Sequence, residues 1–301
     1  MKSRPVVPGV DRAPVERVAF ASRRPSDGMD LLAVGGGAMG RWFARALPGT
    51  DVTVADTDPV VAREAADVLS GRTLVDTDTD TDTDADDTDG YDLVCVAVPI
   101  PAVEAAVAEH ADRLREGGAL VDVTGAMAPV VAAGREHAPD RQRLSLHPLF
   151  APERAPGRIA AVPDAPGART ATVRRALERA GNEVFETTAA AHDRAMETVQ
   201  ARAHAAVLAF ALAADPVPAE FSTPVFEALA ETAAAVTGGE PHVYADVQAT
   251  FDGVDDVAAA ARRVADADRE TFAALYREAG RPLSQSGDGD GDSDDAGSGK
   301  R

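Results

Sequence analysis

The chain of 301 residues has a formal charge of −20, from 50 acidic and 30 basic residues. This length can form two domains, and so acidic a surface argues against nucleic acid or an anionic membrane as a partner. No apolar run is long enough to span a membrane and no secretory signal is recognisable, so we expect a cytoplasmic protein. The single cysteine, Cys95, lies in an apolar run and is predicted to be buried, which excludes a disulfide framework and a cysteine-ligated metal.

Four regions follow one another along the chain. Residues 1–28 contain four prolines and no sustained periodicity, which predicts a disordered extension. Residues 29–188 alternate apolar strands with helical segments, which predicts an α/β Rossmann-type domain on a parallel sheet, with an acidic low-complexity loop at 76–90. Residues 189–283 contain only helix candidates and predict an all-α domain, and residues 284–301 predict a disordered acidic tail.

Residues 31–40, Leu-Leu-Ala-Val-Gly-Gly-Gly-Ala-Met-Gly, predict a buried strand, a glycine turn and a helix start. In this G-x-G-x-x-G pattern, Gly35 allows the sharp turn, Gly37 lets the backbone approach a pyrophosphate, and Gly40 lets the helix pack on the strand. Asp56 ends the second strand 21 residues after Gly35, where a carboxylate binds a ribose 2′-hydroxyl and repels a 2′-phosphate. NAD is therefore favoured over NADP, and a purely structural glycine turn is the alternative. The predicted cofactor-binding residues are Gly35, Gly37, Ala38, Met39, Gly40, Asp56, Val98 and Pro99.

Three later features fall at predicted strand ends. Pro99, Thr124 and His147 each follow or end an apolar strand, and an open parallel sheet binds its ligands at the carboxyl ends of its strands. A histidine in this position can accept a proton from a substrate hydroxyl while a hydride leaves the same carbon. No lysine lies between Ser3 and Gly299, which argues against dehydrogenases of this layout that use a helix lysine, such as hydroxyisobutyrate and phosphogluconate dehydrogenases.

The first helix of the second region carries a polar stripe. His192, Met196, Gln200 and His204 are spaced by four residues, so in an α-helix they share one face. The two histidines would lie about 18 Å apart at 1.5 Å per residue, too far to bind one metal ion, and no metal site is predicted. The stripe is interpreted as facing a ligand cleft, and a solvated helix face is the alternative.

Several segments resemble prephenate dehydrogenases in their order and spacing. They are 35–40 (Gly-Gly-Gly-Ala-Met-Gly), 96–99 (Val-Ala-Val-Pro), 120–123 (Leu-Val-Asp-Val), 147–152 (His-Pro-Leu-Phe-Ala-Pro), 191–204, 222–226 (Ser-Thr-Pro-Val-Phe) and 243–247 (Val-Tyr-Ala-Asp-Val). The resemblance covers about residues 29–276. It implies NAD-dependent oxidative decarboxylation of prephenate to 4-hydroxyphenylpyruvate in tyrosine biosynthesis, by a homodimer formed through the helical domain. With the residue patterns, it assigns catalysis to His147 and Thr124, and substrate binding to Gly125, His192, Gln200, Arg202 and His204.

The chain departs from the family at two positions. The family usually has Ser-x-Lys where this chain has Gly-Ala-Met at 125–127, so Thr124 is expected to replace the missing serine. Ala235 stands where the family usually has an arginine that pairs with a substrate carboxylate. The candidates to supply this charge are Arg154, Arg158 and Arg202.

Three other functions stay open at this stage. Arogenate is the nearest alternative substrate, and an imine or keto-acid reductase on the same scaffold would not need His147. A non-catalytic NAD-sensing protein is the alternative outside enzymology. The abundant Asp and scarce Lys are also typical of proteins that stay soluble in concentrated salt, so a halophilic source, such as a halophilic archaeon, is expected.

Overall fold

A computed structural model describes residues 28–74 and 90–281 of the chain. The predicted extension (1–28), acidic loop (76–90) and tail (284–301) lie outside these residues, apart from Gly28 and Gly90.

Within the described residues, eight strands form one sheet. In chain order they are β1 (Asp30–Val34), β2 (Asp51–Ala55), β3 (Arg72–Thr73), β4 (Tyr91–Val96), β5 (Leu114–Asp122), β6 (Gln142–Pro148), β7 (Arg158–Ala165) and β8 (Glu183–Glu186). Their order across the sheet is β3-β2-β1-β4-β5-β6-β7-β8, and each neighbouring pair except β6 and β7 is parallel. The expected Rossmann-type fold is confirmed.

Five helices cover the two faces of this sheet. They are α1 (Ala38–Arg45), α2 (Pro59–Leu69), α3 (Val103–His110), α4 (Met127–His137) and α5 (Ala168–Arg179). The central strands are buried on both faces, which explains their unbroken apolar sequences, and Cys95 of β4 is fully buried as predicted. Alternate residues of β1 enter two separate apolar clusters, one shared with α1, α2 and α5 and the other with α3 and α4.

The direction of β7 departs from the predicted all-parallel sheet. Only residues 149–157 connect β6 to β7, and they contain no helix longer than the 3₁₀ turn Pro152–Arg154. A parallel return needs a crossover of a dozen or more residues, so the chain turns back and pairs β7 antiparallel to β6. This pairing sets His147 opposite Ala160.

The rest of the described chain is helical. Its helices are α6 (Ala189–Met196), α7 (Ala203–Ala213), α8 (Pro224–Thr237), α9 (Pro241–Thr250), α10 (Val254–Ala265) and α11 (Arg269–Ala279). A π-helical segment, Glu197–Arg202, joins α6 to α7, so the single α-helix predicted over 189–214 is interrupted. None of the helices described here is long and apolar enough to cross a membrane.

Candidate active site

The carboxyl ends of β1, β4, β5 and β6 lie along one edge of the sheet because these four strands are parallel. That edge carries the glycine turn after β1, Val98 and Pro99 after β4, Thr124 after β5, and His147 near the end of β6. Ring packing joins two of these segments, since Trp42 of α1 meets Phe150 edge-on with ring centroids 5.4 Å apart. The structure thus brings the predicted cofactor turn and the predicted base to the same edge.

Two glycines of the turn, Gly35 and Gly40, have no room for a side chain, whereas Gly37 borders open space. Gly35 has a φ of +102°, and a Cβ there would lie 2.3 Å from the Ala97 carbonyl oxygen. A Cβ on Gly40 would lie 2.1 Å from the Gly35 carbonyl oxygen, so neither position admits a side chain. A Cβ on Gly37 would meet nothing within 4 Å, and Gly37 and Ala38 are exposed at the start of α1. This arrangement fits a pyrophosphate lying against the helix N-terminus.

Asp56 is held against the same turn. Its Oδ2 accepts a hydrogen bond from the Gly36 N–H at 2.8 Å, and its Oδ1 accepts one from the Asp58 N–H at 2.9 Å. Asp58 itself caps α2 by accepting from the Val60 N–H at 2.8 Å. Two carboxylates therefore lie at the place where the ribose of a dinucleotide is expected, which disfavours a 2′-phosphate.

His147 is buried, and its Nε2 lies near Gly125. The residue is 7% exposed, and its Nδ1 lies 2.8 Å from Nε2 of His192, which is 3% exposed. Its Nε2 lies 3.9 Å from the position that a Cβ on Gly125 would occupy. The pKa of His147 is lowered to about 3, chiefly by burial and also by His192, while Asp193 acts in the opposite direction. The ring is therefore neutral at physiological pH and can accept a proton.

Asp193, which the sequence analysis did not assign to the site, completes this row of side chains. Its Oδ1 lies 2.7 Å from Nδ1 of His192, and its two oxygens accept the N–H groups of Met127 and Ala128 at 3.0 and 2.9 Å. Met127 and Ala128 are the first two residues of α4, so Asp193 caps that helix from the other part of the chain. The adjacent His-Asp pair in the sequence was the available signal for this residue.

The Thr124 side chain is hydrogen-bonded to Asp122, the last residue of β5. Its hydroxyl donates to Oδ1 of Asp122 at 2.7 Å and also approaches the Ala126 carbonyl oxygen at 3.2 Å. Burial raises the pKa of Asp122 to about 7, although the hydrogen bonds from Thr124 lower it. The Thr124 hydroxyl is buried and hydrogen-bonded within its own segment.

The predicted polar stripe does not stay on one face of its helix. The π-helical segment inserts one residue into the repeat, so the buried positions after His192 and Met196 are Ala201 and Ala205. Gln200 and His204 are displaced to the flank, where the His204 ring packs edge-on to Tyr244 of α9 at 4.8 Å. No hydrogen bond or ring contact joins either of them to His147 within residues 28–74 and 90–281.

Both displaced side chains have polar atoms available for a ligand. Gln200 Oε1 and His204 Nδ1 are buried and accept or donate no hydrogen bond within the described chain. Burial lowers the pKa of His204, which favours its neutral ring. No group of three or more His, Cys, Asp or Glu side chains in this part of the chain is arranged to hold a metal ion.

The candidate arginines differ in their present partners. Arg202 donates to Asp256 of α10 at 2.6 and 3.0 Å and lies 3.7 Å from Glu197. Arg158 pairs with Glu183 at 3.1 Å across the β7–β8 pair. Arg154, in the turn after β6, is exposed and makes no ion pair with any residue of the described ranges.

Sequence comparisons relate the chain to known proteins. Residues 40–162 match the family model of the prephenate dehydrogenase nucleotide-binding domain. A 4-amino-4-deoxyprephenate dehydrogenase from Streptomyces pristinaespiralis is 31% identical over 280 residues, which cover 86% of this chain and 93% of that protein. A probable arogenate/prephenate dehydrogenase from Methanocaldococcus jannaschii is 25% identical over 226 residues, covering 70% of this chain and 49% of that protein.

Solved structures share the fold. The crystal structure of prephenate dehydrogenase from Aquifex aeolicus, in complex with hydroxyphenyl propionate and NAD+, has a TM-score of 0.62 at 16% identity and covers 85% of this chain and 94% of that one. The crystal structure of Synechocystis arogenate dehydrogenase has a TM-score of 0.57 at 15% identity, and the match covers 83% of this chain and 96% of that one. With a 31% identical relative aligned over most of both chains, and a match to the nucleotide-binding domain, the chain belongs to the prephenate dehydrogenase family of oxidoreductases.

Proposed function

We propose that the protein catalyses the NAD-dependent oxidative decarboxylation of prephenate to 4-hydroxyphenylpyruvate, a step of tyrosine biosynthesis. The position of His147 carries this proposal, because its Nε2 is directed to the space beside Gly125 at the sheet edge that also holds the glycine turn. Membership of the family supports the reaction class. A non-catalytic NAD-binding protein would not need a neutral buried histidine aimed into the cleft.

His147 is the base of the proposed reaction. A hydride leaves the ring carbon that carries the hydroxyl, and the hydroxyl proton passes to His147 Nε2. NAD, when bound along the glycine turn, supplies the nicotinamide ring that accepts the hydride. The low pKa of His147, about 3, is sufficient because loss of hydride leaves a protonated carbonyl, which is a strong acid.

The same histidine returns the proton in the second half of the reaction. Loss of CO2 makes the ring aromatic and leaves a phenolate, whose ordinary pKa is about 10, as for tyrosine. Proton transfer from His147 to this oxygen is therefore strongly favourable. The net reaction converts prephenate and NAD+ to 4-hydroxyphenylpyruvate, CO2 and NADH, and His147 ends as it began.

The residues around the glycine turn are proposed to hold the cofactor. The open space at Gly37 and the N–H groups of Ala38 and Met39, in the first turn of α1, suit the pyrophosphate. Asp56 suits the adenosine ribose, and its charge favours NAD over NADP. Val98 and Pro99, half-buried and exposed after β4, are proposed to border the nicotinamide side of the cleft.

The substrate is proposed to lie between Gly125 and the helical part of the chain. The unpartnered polar atoms of Gln200 and His204 support their assignment to substrate binding. Arg202 would have to leave Asp256 to meet a carboxylate, whereas Arg154 has no ion pair to break and follows His147 closely in the chain. Arg154 is therefore the favoured partner for a substrate carboxylate.

A second candidate substrate carries an amine in place of the ring hydroxyl. The Streptomyces pristinaespiralis relative is named for 4-amino-4-deoxyprephenate. In this chain Gly125 replaces the family's serine hydroxyl, and the Thr124 hydroxyl hydrogen is held by Asp122. His147 Nε2, the acceptor proposed to face the ring substituent, can receive a hydrogen bond from an N–H as well as from an O–H.

A substrate panel tests the proposed reaction. We expect purified protein to form NADH with prephenate in spectrophotometric assays, in parallel with arogenate and 4-amino-4-deoxyprephenate. His147→Asn should lower kcat by about 10³-fold, since general-base catalysis contributes 10²–10⁴-fold. The control His242→Asn changes a side chain that is 60% exposed, and its kcat should equal that of the wild type. No turnover of any of the three compounds by folded protein would refute the proposal.

Cofactor preference tests the role of Asp56. Asp56→Asn keeps an oxygen that can accept the Gly36 N–H but removes the charge. The ratio of kcat/KM for NAD to that for NADP should therefore fall at least tenfold. Asp67→Asn removes an equal charge from an exposed position of α2 and should leave the ratio unchanged. An unaltered ratio in Asp56→Asn would remove this residue from cofactor selection.

A homodimer through the helical part is also proposed, with a second copy of this chain as the partner. Large apolar side chains are exposed there, and exposed apolar patches are typical of protein–protein interfaces. The most exposed are Leu212 (88%), Tyr276 (74%), Phe221 (72%) and Val225 (72%). Light scattering should give twice the chain mass of 31.1 kDa, and Phe221→Glu with Val225→Glu should shift it toward one chain mass. Val68→Glu, the matching change on α2, should leave the measured mass at twice the chain mass. A monomeric wild-type protein would contradict the dimer.

The acidic composition supports a further proposal, that the protein works in concentrated salt. A charge of −20 repels itself strongly unless cations screen it. Circular dichroism should therefore detect loss of structure after dialysis from molar potassium chloride into dilute buffer. Structure and activity that are indifferent to salt would contradict this adaptation.

A further inference from the structure

Three side chains form a continuous hydrogen-bonded row from the N-terminus of α4 to His147. Asp193 accepts the N–H groups of Met127 and Ala128, its Oδ1 lies 2.7 Å from His192 Nδ1, and His192 Nε2 lies 2.8 Å from His147 Nδ1. The His192 side chain is 1% exposed and both its ring nitrogens are occupied. It therefore has no atom left for a substrate, although the sequence pattern predicted a substrate contact.

The hydrogen positions along this row follow from Asp193. Partial burial alone would raise the pKa of Asp193, but hydrogen bonds from His192, Met127 and Ala128 lower it below its ordinary value. An ionised carboxylate can only accept, so His192 Nδ1 carries a hydrogen. In a neutral His192 ring Nε2 is then an acceptor, His147 Nδ1 is the donor between the rings, and His147 Nε2 is left with a lone pair.

We propose that Asp193 and His192 act as a proton relay behind His147, a role that rests on the proposed function of His147 as the base. As His147 Nε2 takes the substrate proton, its Nδ1–H bond breaks and a new bond forms from that hydrogen to His192 Nε2. The positive charge then lies on His192, beside the Asp193 carboxylate. When the phenolate takes the proton back from His147 Nε2, the hydrogen between the rings returns to His147 Nδ1.

The relay reduces the free-energy cost of a positive charge in this buried site. A positive charge confined to His147 would be buried, since the residue is only 7% exposed, and no carboxylate of the described residues contacts its ring. Transfer to His192 places that charge 2.7 Å from the Asp193 oxygen, where attraction in a poorly hydrated setting is strong. Asp193 and His192 touch neither substrate nor cofactor, so they are positioning residues whose effect passes through His147.

Kinetics of Asp193→Asn test the relay. The amide still accepts from His192 but carries no charge, so kcat should fall about 10²-fold while KM changes less than threefold. Asp215→Asn removes the same charge from an exposed residue after α7 and should keep wild-type kcat. A kcat within twofold of wild type in folded Asp193→Asn would overturn the relay.

The tautomers give a readout that needs no turnover. In ¹⁵N-histidine-labelled wild-type protein at neutral pH, NMR should find both rings neutral, with hydrogen on Nδ1 and none on Nε2. His147→Asn and His192→Asn assign the signals by their loss. Hydrogen on His147 Nε2, or on both nitrogens of His192, would overturn the relay even if Asp193→Asn did not fold. If wild-type protein converts no substrate, the proposed function fails, and the NMR result still decides the hydrogen positions.

Discussion

The carboxylate of Asp193 joins the sheet part of the molecule to its helical part. It receives two N–H groups from the start of α4 and holds the His192 ring, so one side chain both caps a helix and orients the row that ends at His147. A negative charge at a helix N-terminus is favourable by about 0.3–1 kcal/mol at exposed sites and more when partly buried. The placement of α6 against the sheet and the direction of the His147 ring therefore depend on the same group.

The sheet also positions the residues of the candidate site. Parallel β1, β4, β5 and β6 end at one edge, so that His147 lies within a strand and the glycine turn and Thr124 lie in the short connections that follow β1 and β5. The short β6–β7 connection makes β7 antiparallel, and its pairing holds His147 opposite Ala160. Contact between Trp42 and Phe150 then ties the segment after His147 to the helix that follows the glycine turn. His147, the proposed base, and a cofactor at the glycine turn would therefore need little rearrangement to act together.

One departure from the family pattern lies beside His147, where Gly125 stands in place of a serine. Gly125 leaves open the space that a serine side chain would occupy, and Thr124 directs its hydroxyl hydrogen to Asp122. The proposed chemistry therefore rests on His147 and on the row of side chains behind it. The π-helical segment also changes one face of the helix, because it moves the buried positions to Ala201 and Ala205 and sets the His204 ring against Tyr244 of α9.

Local features were readable in the sequence because neighbouring residues decide them. The glycine turn, the acid after β2 and the start of α2 at Asp58 and Pro59 depend on backbone freedom, spacing and capping within a few residues. The direction of β7, the shifted stripe at Ala201 and Ala205, and the partners of His192 were decided by tertiary structure. His147 and His192 are 45 residues apart, and Asp193 meets the α4 N–H groups across 65 and 66. Such pairings depend on how separate elements pack, and the pattern of one segment contains no information about the hydrogen-bonding groups that another brings to it.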